Sequence, residues 1–299
     1  MTPAPTRDAI VATAGESIAR GSKSFALASR LFDRTTRERA WLLYAWCRRC
    51  DDIADGQDHG GTMVPVADPA ARLASITGLT ERALAGQPVG DPGFDALRIV
   101  VAEVGMPHDL PRDLVRGFAM DAADWRPRSE GDLLTYCHHV AGVVGMMMAI
   151  AMGVAPDDEW VLARADDLGI AFQLANIARD VAEDAAAGRC YLPLDWLVEL
   201  DIPPGEHMKP PYRKRLAVMA KWLAEMAAER ELRAREGARH LPFRARWAVL
   251  AAAGIYGDIA RQVHAHGEHA WDHRAVVSQP AKLGWVARAL GQAIAGGKR

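Results

Sequence analysis

The chain has 299 residues, of which 50% are apolar and 25% are charged, and its formal net charge is −2. That length allows a sizeable buried core in one large domain or two small ones. The near-neutral charge excludes a general nucleic-acid binder, so local cations or metal must hold any anionic ligand. Four cysteines and no recognisable secretory signal predict a reduced, cytoplasmic protein and exclude a disulfide scaffold.

In chain order, long segments rich in Ala, Leu, Arg and Glu alternate with short Pro/Gly breaks, and strand-like alternation of Val, Ile and Thr is missing. The pattern predicts an all-α protein. The predicted helices cover residues 7–20, 34–57, 68–86, 92–105, 109–126, 130–153, 157–186, 211–237, 241–268 and 279–295. No loop between them has the length or composition of a domain linker, so we predict a single helical domain over residues 1–299.

The helix predicted over residues 34–57 carries an unusual polar face. Tyr44, Arg48, Asp51 and Asp55 follow one another at steps of four, three and four residues, which places them on one side of a helix. Two like charges four residues apart destabilise a helix, so the pair of carboxylates requires a compensating cation. Either Arg48 or a divalent metal ion fits that requirement, although an isolated pair of this kind is commonly a solvated helix end.

A second acidic face strengthens the metal interpretation. Gln173, Asn176, Asp180 and Asp184 share one side of the helix predicted for residues 157–186. Carboxylate and amide oxygens are ligands for hard cations, and Mg²⁺ typically binds through one or two carboxylates together with substrate phosphates. Two such faces in one helical domain therefore favour a site in which metal ions hold a diphosphate.

Metal ions neutralise the charge of a departing diphosphate and so stabilise the breaking of its bond to carbon. If the organic part is an allylic hydrocarbon, the resulting carbocation needs a dry cavity. The segment 136–148, with Val140 and Val144, is a candidate wall for that cavity. Gly142 and Gly145 within it allow either close helix packing or room for a chain. An ordinary Met-rich core helix remains an equal alternative for this segment.

Other constellations give weaker signals. Cys47 and Cys50 form a Cys-x-x-Cys pair, but no second pair follows, and the Cys137-His138-His139 run lacks the spacing of a zinc site. A histidine-rich region more closely matches a solvated polar face than a metal site. Its members are His264, His266, His269 and His273.

Five motifs in chain order resemble the squalene/phytoene synthase family of head-to-head prenyl synthases, and most closely its bacterial phytoene synthases. The motifs are Gly21-Ser22-Lys23-Ser24-Phe25, the run from Tyr44 to Asp55, Tyr136 with the run from His139 to Gly145, the run from Asn176 to Asp180, and the run from Gly188 to Pro193. The resemblance extends from about residue 15 to Arg274 and implies an all-α isoprenoid synthase fold with helices around a central cavity.

The implied reaction is the condensation of two geranylgeranyl diphosphates through prephytoene diphosphate to phytoene in carotenoid biosynthesis. Mg²⁺ is the implied cofactor, with Mn²⁺ as an alternative, and no NADPH is expected because no dinucleotide-binding glycine motif follows a strand. Two alternatives stay open: a presqualene diphosphate or dehydrosqualene synthase that uses farnesyl diphosphate, and an inactive subunit that binds prenyl diphosphates.

The resemblance also implies roles for individual residues. The implied Mg²⁺ ligands are Asp51, Asp55, Asp180 and Asp184, with Asn176 assisting. The implied substrate contacts are Ser22, Lys23, Ser24 and Phe25 in a flap, Arg48, Gln173, Val140, Val144 and Arg274. The implied aromatic groups near the reacting carbons or the diphosphate are Tyr44, Tyr136, Tyr191 and Tyr256, whose rings stabilise a passing cation.

A hydrocarbon product also suggests peripheral contact with the inner face of the membrane. In the segment 280–295, Leu283, Val286, Leu290 and Ile294 follow helical spacing beside Lys282 and Arg288. Core packing explains the same stripe equally well. No uninterrupted apolar run reaches the length of a membrane-spanning helix; the nearest run, 140–155, is predicted to be a buried core helix.

Overall fold

The computed structural model describes residues 5–21, 23–56 and 68–296, and over these ranges the secondary structure is helical. The α-helices are α1 (Arg7–Gly21), α2 (Lys23–Ser29), α3 (Arg34–Asp55), α4 (Pro69–Leu84), α5 (Pro92–Val104), α6 (Asp109–Ala122), α7 (Glu130–Cys137), α8 (Val143–Ala151), α9 (Glu159–Ala186), α10 (Leu194–Glu199), α11 (Arg213–Gly237), α12 (Phe243–His266) and α13 (Gln279–Ala295). A π-helical turn, His138–Gly142, joins α7 to α8, and short 3₁₀ turns occupy Pro210–Tyr212, Ala238–His240 and Gly267–His269.

Local sequence explains where the helices that carry the two acidic faces begin and end. The Asp33 side chain accepts a hydrogen bond from the Thr36 N–H at the start of α3, and the Asp158 side chain caps α9 by accepting from Val161. At the other end of α3, Gly56 adopts a left-handed conformation with φ of 65°. That conformation suits glycine and stops the helix directly after Asp55.

The long helix α9 lies at the centre of the packing. It contacts α8, α11 and α12 along its length, and its buried face belongs to the largest core cluster. Helix α3 packs against α1, α5, α4 and α8, and its buried residues Leu43 and Trp46 belong to a second core cluster. The two acidic helices are thus held by separate sets of neighbours, and α8 touches both of them.

The prediction of an all-α fold is confirmed for the described residues, and ten predicted helices correspond to observed ones with small shifts at their ends. Three features differ from the prediction. Helix α2 lies in a stretch where no helix was predicted, the six-residue α10 was missed, and the helix predicted over residues 130–153 contains the π turn. Helices as short as α2 and α10 are too brief to show a periodic apolar pattern.

The π turn and the start of α9 approach each other closely because glycine occupies the contact points. A β-carbon on Gly145 would collide with the carbonyl oxygen of Ala165, and one on Gly169 would collide with that of Ala141. A β-carbon on Gly142 would collide with the Asp166 carboxylate, which accepts a hydrogen bond from His138 at 2.7 Å. Of the two interpretations left open for Gly142 and Gly145, the structure therefore supports close helix packing.

The continuous helical stretch Glu130–Ala151 is also long and apolar enough to cross a membrane by length and composition, and 44% of its most apolar window is buried inside the protein. It is the one such stretch in the part of the chain that the structure describes. Within this fold it packs against α9 and α6, which is the position predicted for a core helix.

The glycine contact predicts a specific loss of stability. Gly169→Ala should lower the free energy of unfolding by about 1–3 kcal/mol, because the added methyl group must push α9 away from the π turn. Chemical denaturation followed by circular dichroism measures the change.

The matched control is Gly78→Ala in α4, where a β-carbon meets nothing within 4 Å. This substitution should leave stability unchanged or raise it, because alanine favours a helix interior over glycine. Equal effects of the two substitutions would show that the approach of α9 to the π turn does not limit stability.

Candidate active site

A cavity of about 710 Å³ lies between the helices, and both acidic faces open into it. Asp51 and Asp55 reach it from α3, and Asp180 and Asp184 reach it from α9. Away from these four carboxylates the cavity wall is mainly apolar, with Ala248 and Leu241 among its lining residues. The other predicted residues that line it are Phe25, Tyr44, Arg48, Tyr136, Val140, Val144, Gln173, Asn176, Tyr191 and Tyr256.

Arginines stand beside the carboxylates of α3. Arg189, in the segment after α9, donates a hydrogen bond from Nη2 to Oδ1 of Asp55 at 3.0 Å. Arg48 lies one turn before Asp51, with Nη1 and Oδ2 at 3.8 Å, and its guanidinium also lies 5.9 Å from the centre of the Tyr44 ring. Helix α3 therefore presents negative carboxylates and the positive Arg48 guanidinium to the cavity. Arg189 links α3 to the segment at the end of α9.

The Asp180 carboxylate on α9 is held by two arginines. Arg179 donates from Nε to Oδ1 at 2.7 Å and also contacts Oδ2. Arg274, from the segment after α12, donates from Nε to Oδ1 at 2.9 Å and from Nη2 to Oδ2 at 3.0 Å. Arg274 does not line the cavity itself, but this pair of bonds places its guanidinium at the edge of the acidic face.

The pKa values of the carboxylates follow this unequal pairing. Burial, reinforced by neighbouring carboxylates and only partly offset by Arg48, raises the pKa of Asp51 to about 7, although its side chain keeps 44% of its area exposed to the cavity. Burial and the charge of Asp180 raise the pKa of Asp184 to about 7. Burial also acts to raise the pKa of Asp180, but hydrogen bonds from Arg179 and Arg274 hold it below its ordinary value.

Asp121 is a site residue that the sequence interpretation missed. It projects from α6 into the cavity and accepts hydrogen bonds from the Tyr136 hydroxyl at 3.1 Å and the Tyr191 hydroxyl at 3.0 Å. The two tyrosine rings stack with their centres 4.9 Å apart. Burial raises the pKa of Asp121, while Arg189 and the two hydroxyls favour its charged form. Asp121 thus fixes both tyrosines at the acidic end of the cavity.

The other two predicted tyrosines form a separate aromatic group. The Tyr256 ring on α12 stacks on Phe172 of α9 with centres 4.1 Å apart, and Phe25 of α2 lies 6.1 Å from Tyr256 and 6.4 Å from Tyr44. The Tyr44 hydroxyl is buried without a hydrogen-bond partner in the described part of the chain. A β-carbon on Gly21 would collide with that hydroxyl, so the glycine at the end of α1 leaves space for the Tyr44 hydroxyl.

The predicted flap is described only in part. Ser22 lies outside the described residues, and so do the side chains of Lys23 and Ser24. The amides of Gln173 and Asn176 lie on the cavity wall two turns and one turn before Asp180, with Asn176 Nδ2 and Gln173 Oε1 3.5 Å apart. Both residues line the same cavity as the carboxylates of α9.

The donor chemistry of this end of the cavity fits hard divalent cations. Carboxylate and amide side chains from two helices line it, and burial and neighbouring carboxylates raise the pKa values of Asp51 and Asp184 more than the nearby arginines lower them. Within the described ranges, no three His, Cys, Asp or Glu side chains already form a compact metal-binding group. The arrangement therefore matches Mg²⁺, which keeps waters and takes further ligands from substrate phosphates.

Of the weaker candidates, Cys47 lines this cavity, whereas Cys50, Cys137 and the histidines do not. Cys50 is buried in the core around Trp46, and burial raises the pKa of the Cys47 and Cys50 thiols. His266 and His269 are exposed and contact the Gln262 carbonyl and the Asp272 carboxylate, respectively.

Comparisons with known proteins agree with this geometry. A family profile described as squalene/phytoene synthase matches residues 18–281. The chain is 44% identical over 283 residues to a phytoene synthase of Pseudescherichia vulneris, covering 94% of this chain and 91% of that protein. It is 43% identical over 285 residues to a 15-cis-phytoene synthase of Pantoea ananas, covering 93% and 90%.

Solved structures give the same result for the fold. A dehydrosqualene synthase in complex with a ligand superimposes with a TM-score of 0.86 at 26% identity and covers 97% of this chain and 98% of that one. A squalene synthase from Alicyclobacillus acidocaldarius gives a TM-score of 0.75 at 21% identity, with 87% and 95% coverage.

The raised pKa values predict how metal affects stability. In the metal-free protein, Asp51 and Asp184 keep their protons up to a pH of about 7, whereas an unfolded chain loses them near pH 4. The folded state therefore binds more protons in this window, so these groups lower the free energy of unfolding as the pH rises from about 4 to 7. Mg²⁺ should raise the melting temperature more at about pH 8 than at about pH 5.5.

Differential scanning calorimetry with and without Mg²⁺ measures this difference. A double Asp51→Asn, Asp184→Asn variant should lose the pH dependence of the Mg²⁺ effect, whereas Asp109→Asn, at an exposed position in the first turn of α6, should retain it. Equal melting-temperature shifts at both pH values in the unmodified protein would contradict the assignment of these carboxylates to the metal site.

Proposed function

The chain belongs to the squalene/phytoene synthase family, and we propose that it is a phytoene synthase, a prenyltransferase of carotenoid biosynthesis. It joins two molecules of geranylgeranyl diphosphate head to head. The first step forms prephytoene diphosphate and releases one diphosphate and one proton. The second step converts this cyclopropyl intermediate to phytoene and releases the remaining diphosphate and a second proton.

One observation carries the proposal. Two pairs of carboxylates with adjacent arginines lie at one end of a cavity whose remaining wall is mainly apolar. This division matches a substrate with a diphosphate at one end and a hydrocarbon chain at the other. Relatives named phytoene synthase that share 43–45% of their residues with nearly the whole chain support the same assignment.

The carboxylates Asp51, Asp55, Asp180 and Asp184 are proposed to hold Mg²⁺, with Asn176 assisting. When bound, the metal supplies charge neutralisation for the departing diphosphate. Arg48 contributes a guanidinium inside the cavity, and Gln173 lies beside Asn176 to orient the bound oxygens. Ser22, Lys23 and Ser24 are proposed to cover the diphosphate.

The aromatic groups suit the carbocation that follows loss of diphosphate. Tyr136 and Tyr191 stack at the acidic end, and Tyr44, Phe25 and Tyr256 form the next group along the cavity. Their ring faces stabilise positive charge without acting as nucleophiles. Released diphosphate is proposed to take the final proton. No reductant enters this balance, so no NADPH is required.

The cavity also has the length for a long prenyl chain. Along α9 it is lined from Asp180 to Val161, nineteen residues apart, which at 1.5 Å per residue is about 28 Å. Val140 and Val144 contribute apolar surface on the facing helix. A synthase that uses farnesyl diphosphate is the alternative that the product test distinguishes, because a dehydrosqualene synthase shares the fold.

Incubation with Mg²⁺ and each prenyl diphosphate tests the proposal. We expect phytoene from geranylgeranyl diphosphate, identified by chromatography and mass spectrometry without added NADPH. A product from farnesyl diphosphate alone would instead assign the protein to the presqualene diphosphate or dehydrosqualene synthases.

Matched variants separate catalysis from an inactive binding subunit. Asp51→Asn should lower turnover by about 100-fold or more, because it removes charge at the diphosphate. Asp195→Asn, at an exposed position in the first turn of α10, should leave turnover unchanged. Unchanged turnover in Asp51→Asn would contradict the proposed role of the site.

We further propose a cytoplasmic location with peripheral membrane contact through the outer face of α13. Two of the four stripe residues, Leu283 and Ile294, are 63% and 66% exposed, whereas Val286 packs against the cluster around Ala289 and Ala293. Arg288 lies on the same helix and stacks over Trp285 at 5.4 Å. Exposed apolar and basic groups on one helix are the composition of an interfacial helix.

Liposome flotation tests the contact. The protein should float with vesicles that contain anionic lipid, and a Leu283→Glu, Ile294→Glu variant should float less because it puts charge on the apolar face. The control Leu232→Glu changes an equally exposed leucine, 67% exposed, on α11. Equal flotation of all three proteins, or no flotation at all, would remove α13 as the contact.

A further inference from the structure

The acceptor positions of Asp180 are fully occupied in the metal-free protein. A carboxylate offers about four lone-pair sites on its two oxygens. Arg179 contacts both oxygens, and Arg274 contacts both oxygens at 2.9 and 3.0 Å. If Asp180 is to bind a metal ion, as the proposed function requires, at least one arginine must leave it.

Arg274 is the arginine that is placed to leave. Arg179 precedes Asp180 on the same helix and its side chain is only 15% exposed, whereas the Arg274 side chain is 52% exposed. Arg274 also lies in an irregular segment between the 3₁₀ turn Gly267–His269 and α13. Its guanidinium can therefore turn without disturbing a helix.

The backbone that carries Arg274 is nevertheless fixed beside the site. Trp271 is buried, and its indole Nε1 donates to the Ala178 carbonyl of α9 at 3.0 Å. Arg213 of α11 holds the same segment through the Asp272 carboxylate and the Glu268 carbonyl, both at 3.3 Å. The guanidinium thus has a short tether, and it stays within reach of the cavity mouth after it releases Asp180.

The α3 side repeats the arrangement in a simpler form. Arg189 donates one hydrogen bond to Asp55 at 3.0 Å, lines the cavity, and is 32% exposed. Further acidic groups lie beside the two arginines: Asp121 and Asp184 near Arg189, and Glu183 3.6 Å from Arg274. Each guanidinium thus pairs with a carboxylate that the proposed function assigns to metal, Arg189 with Asp55 and Arg274 with Asp180.

We propose that Arg274 and Arg189 are exchangeable counterions. In the metal-free protein they bind Asp180 and Asp55. When Mg²⁺ and a diphosphate bind together, each guanidinium moves from its carboxylate to the diphosphate oxygens. A guanidinium binds carboxylate and phosphate groups with the same fork of N–H donors, so each arginine keeps its hydrogen bonds throughout.

The exchange has a thermodynamic consequence. Mg²⁺ alone must displace an arginine from its hydrogen-bonded carboxylate without supplying a new hydrogen-bonded anion, so metal alone binds weakly. Diphosphate supplies that anion, so metal and diphosphate strengthen each other's binding, and the coupling must be reciprocal. The protein therefore binds metal together with substrate and keeps its carboxylates neutralised when substrate is absent.

Isothermal titration calorimetry with Mg²⁺, inorganic pyrophosphate, and the two together tests the exchange without turnover. Arg274→Gln should bind Mg²⁺ alone about 10-fold more tightly, because Asp180 is released, and should bind pyrophosphate in saturating Mg²⁺ about 10-fold more weakly, because one charged hydrogen-bonding group is lost. Arg189→Gln should likewise strengthen the binding of Mg²⁺ alone and weaken the binding of pyrophosphate in saturating Mg²⁺.

The matched control is Arg213→Gln, which removes a contact of the same segment without touching Asp180 and should leave both affinities unchanged. Arg274→Lys, which keeps the charge but not the fork, should show smaller shifts in the same directions and serves if Arg274→Gln fails to fold. Unchanged or weaker binding of Mg²⁺ alone in the Arg274 variants would overturn the exchange. That result would leave the hydrocarbon product unaffected, so it is distinguishable from failure of the proposed function.

Discussion

The need to neutralise several carboxylates inside one helical cavity governs this structure. Asp51, Asp55, Asp121, Asp180 and Asp184 open into the same space, and water alone does not solvate them well there. The compensating positive charge comes from arginines in three separate parts of the chain, at positions 48, 189 and 274. The balance is incomplete at Asp51 and Asp184, whose pKa values burial and neighbouring carboxylates raise, and these two carboxylates are part of the metal site proposed for this end of the cavity.

Helix packing makes this concentration of charge sustainable. Glycines at 142, 145 and 169 let the π turn and α8 lie directly against the first half of α9, which positions the helix that carries Asp180 and Asp184 three to four turns further on. Asp121 does the same for the aromatic wall, because it bonds Tyr136 and Tyr191 from different segments. Rigid placement matters for the proposed metal site, since carboxylates free to move apart would relieve their repulsion instead of converging on a cation.

The sequence predicted the parts of the site that repeat with helical period. Steps of three and four residues located the acidic faces of α3 and α9, and Pro/Gly breaks located most helix ends. Asp121 carries no such signal, because its partners Tyr136 and Tyr191 lie 15 and 70 residues away and meet it only in the folded chain. Arg189 lay within a recognised motif, but its bond to Asp55 spans 134 residues. Long-range pairing of single side chains leaves no periodic pattern in sequence.

The length of the substrate's hydrocarbon chain likewise leaves no periodic pattern in the sequence. The far end of the cavity is formed by side chains from different helices, including Met152, Leu241 and Ala248, which pack as one cluster. None of them is charged or periodic in a way that distinguishes a cavity floor from ordinary core. The polar end therefore determines that a diphosphate binds, through charge that sequence spacing reveals. The volume of these few apolar side chains limits how long a hydrocarbon chain fits behind it, and alanines at 248 and 252 are among the residues that line this cavity.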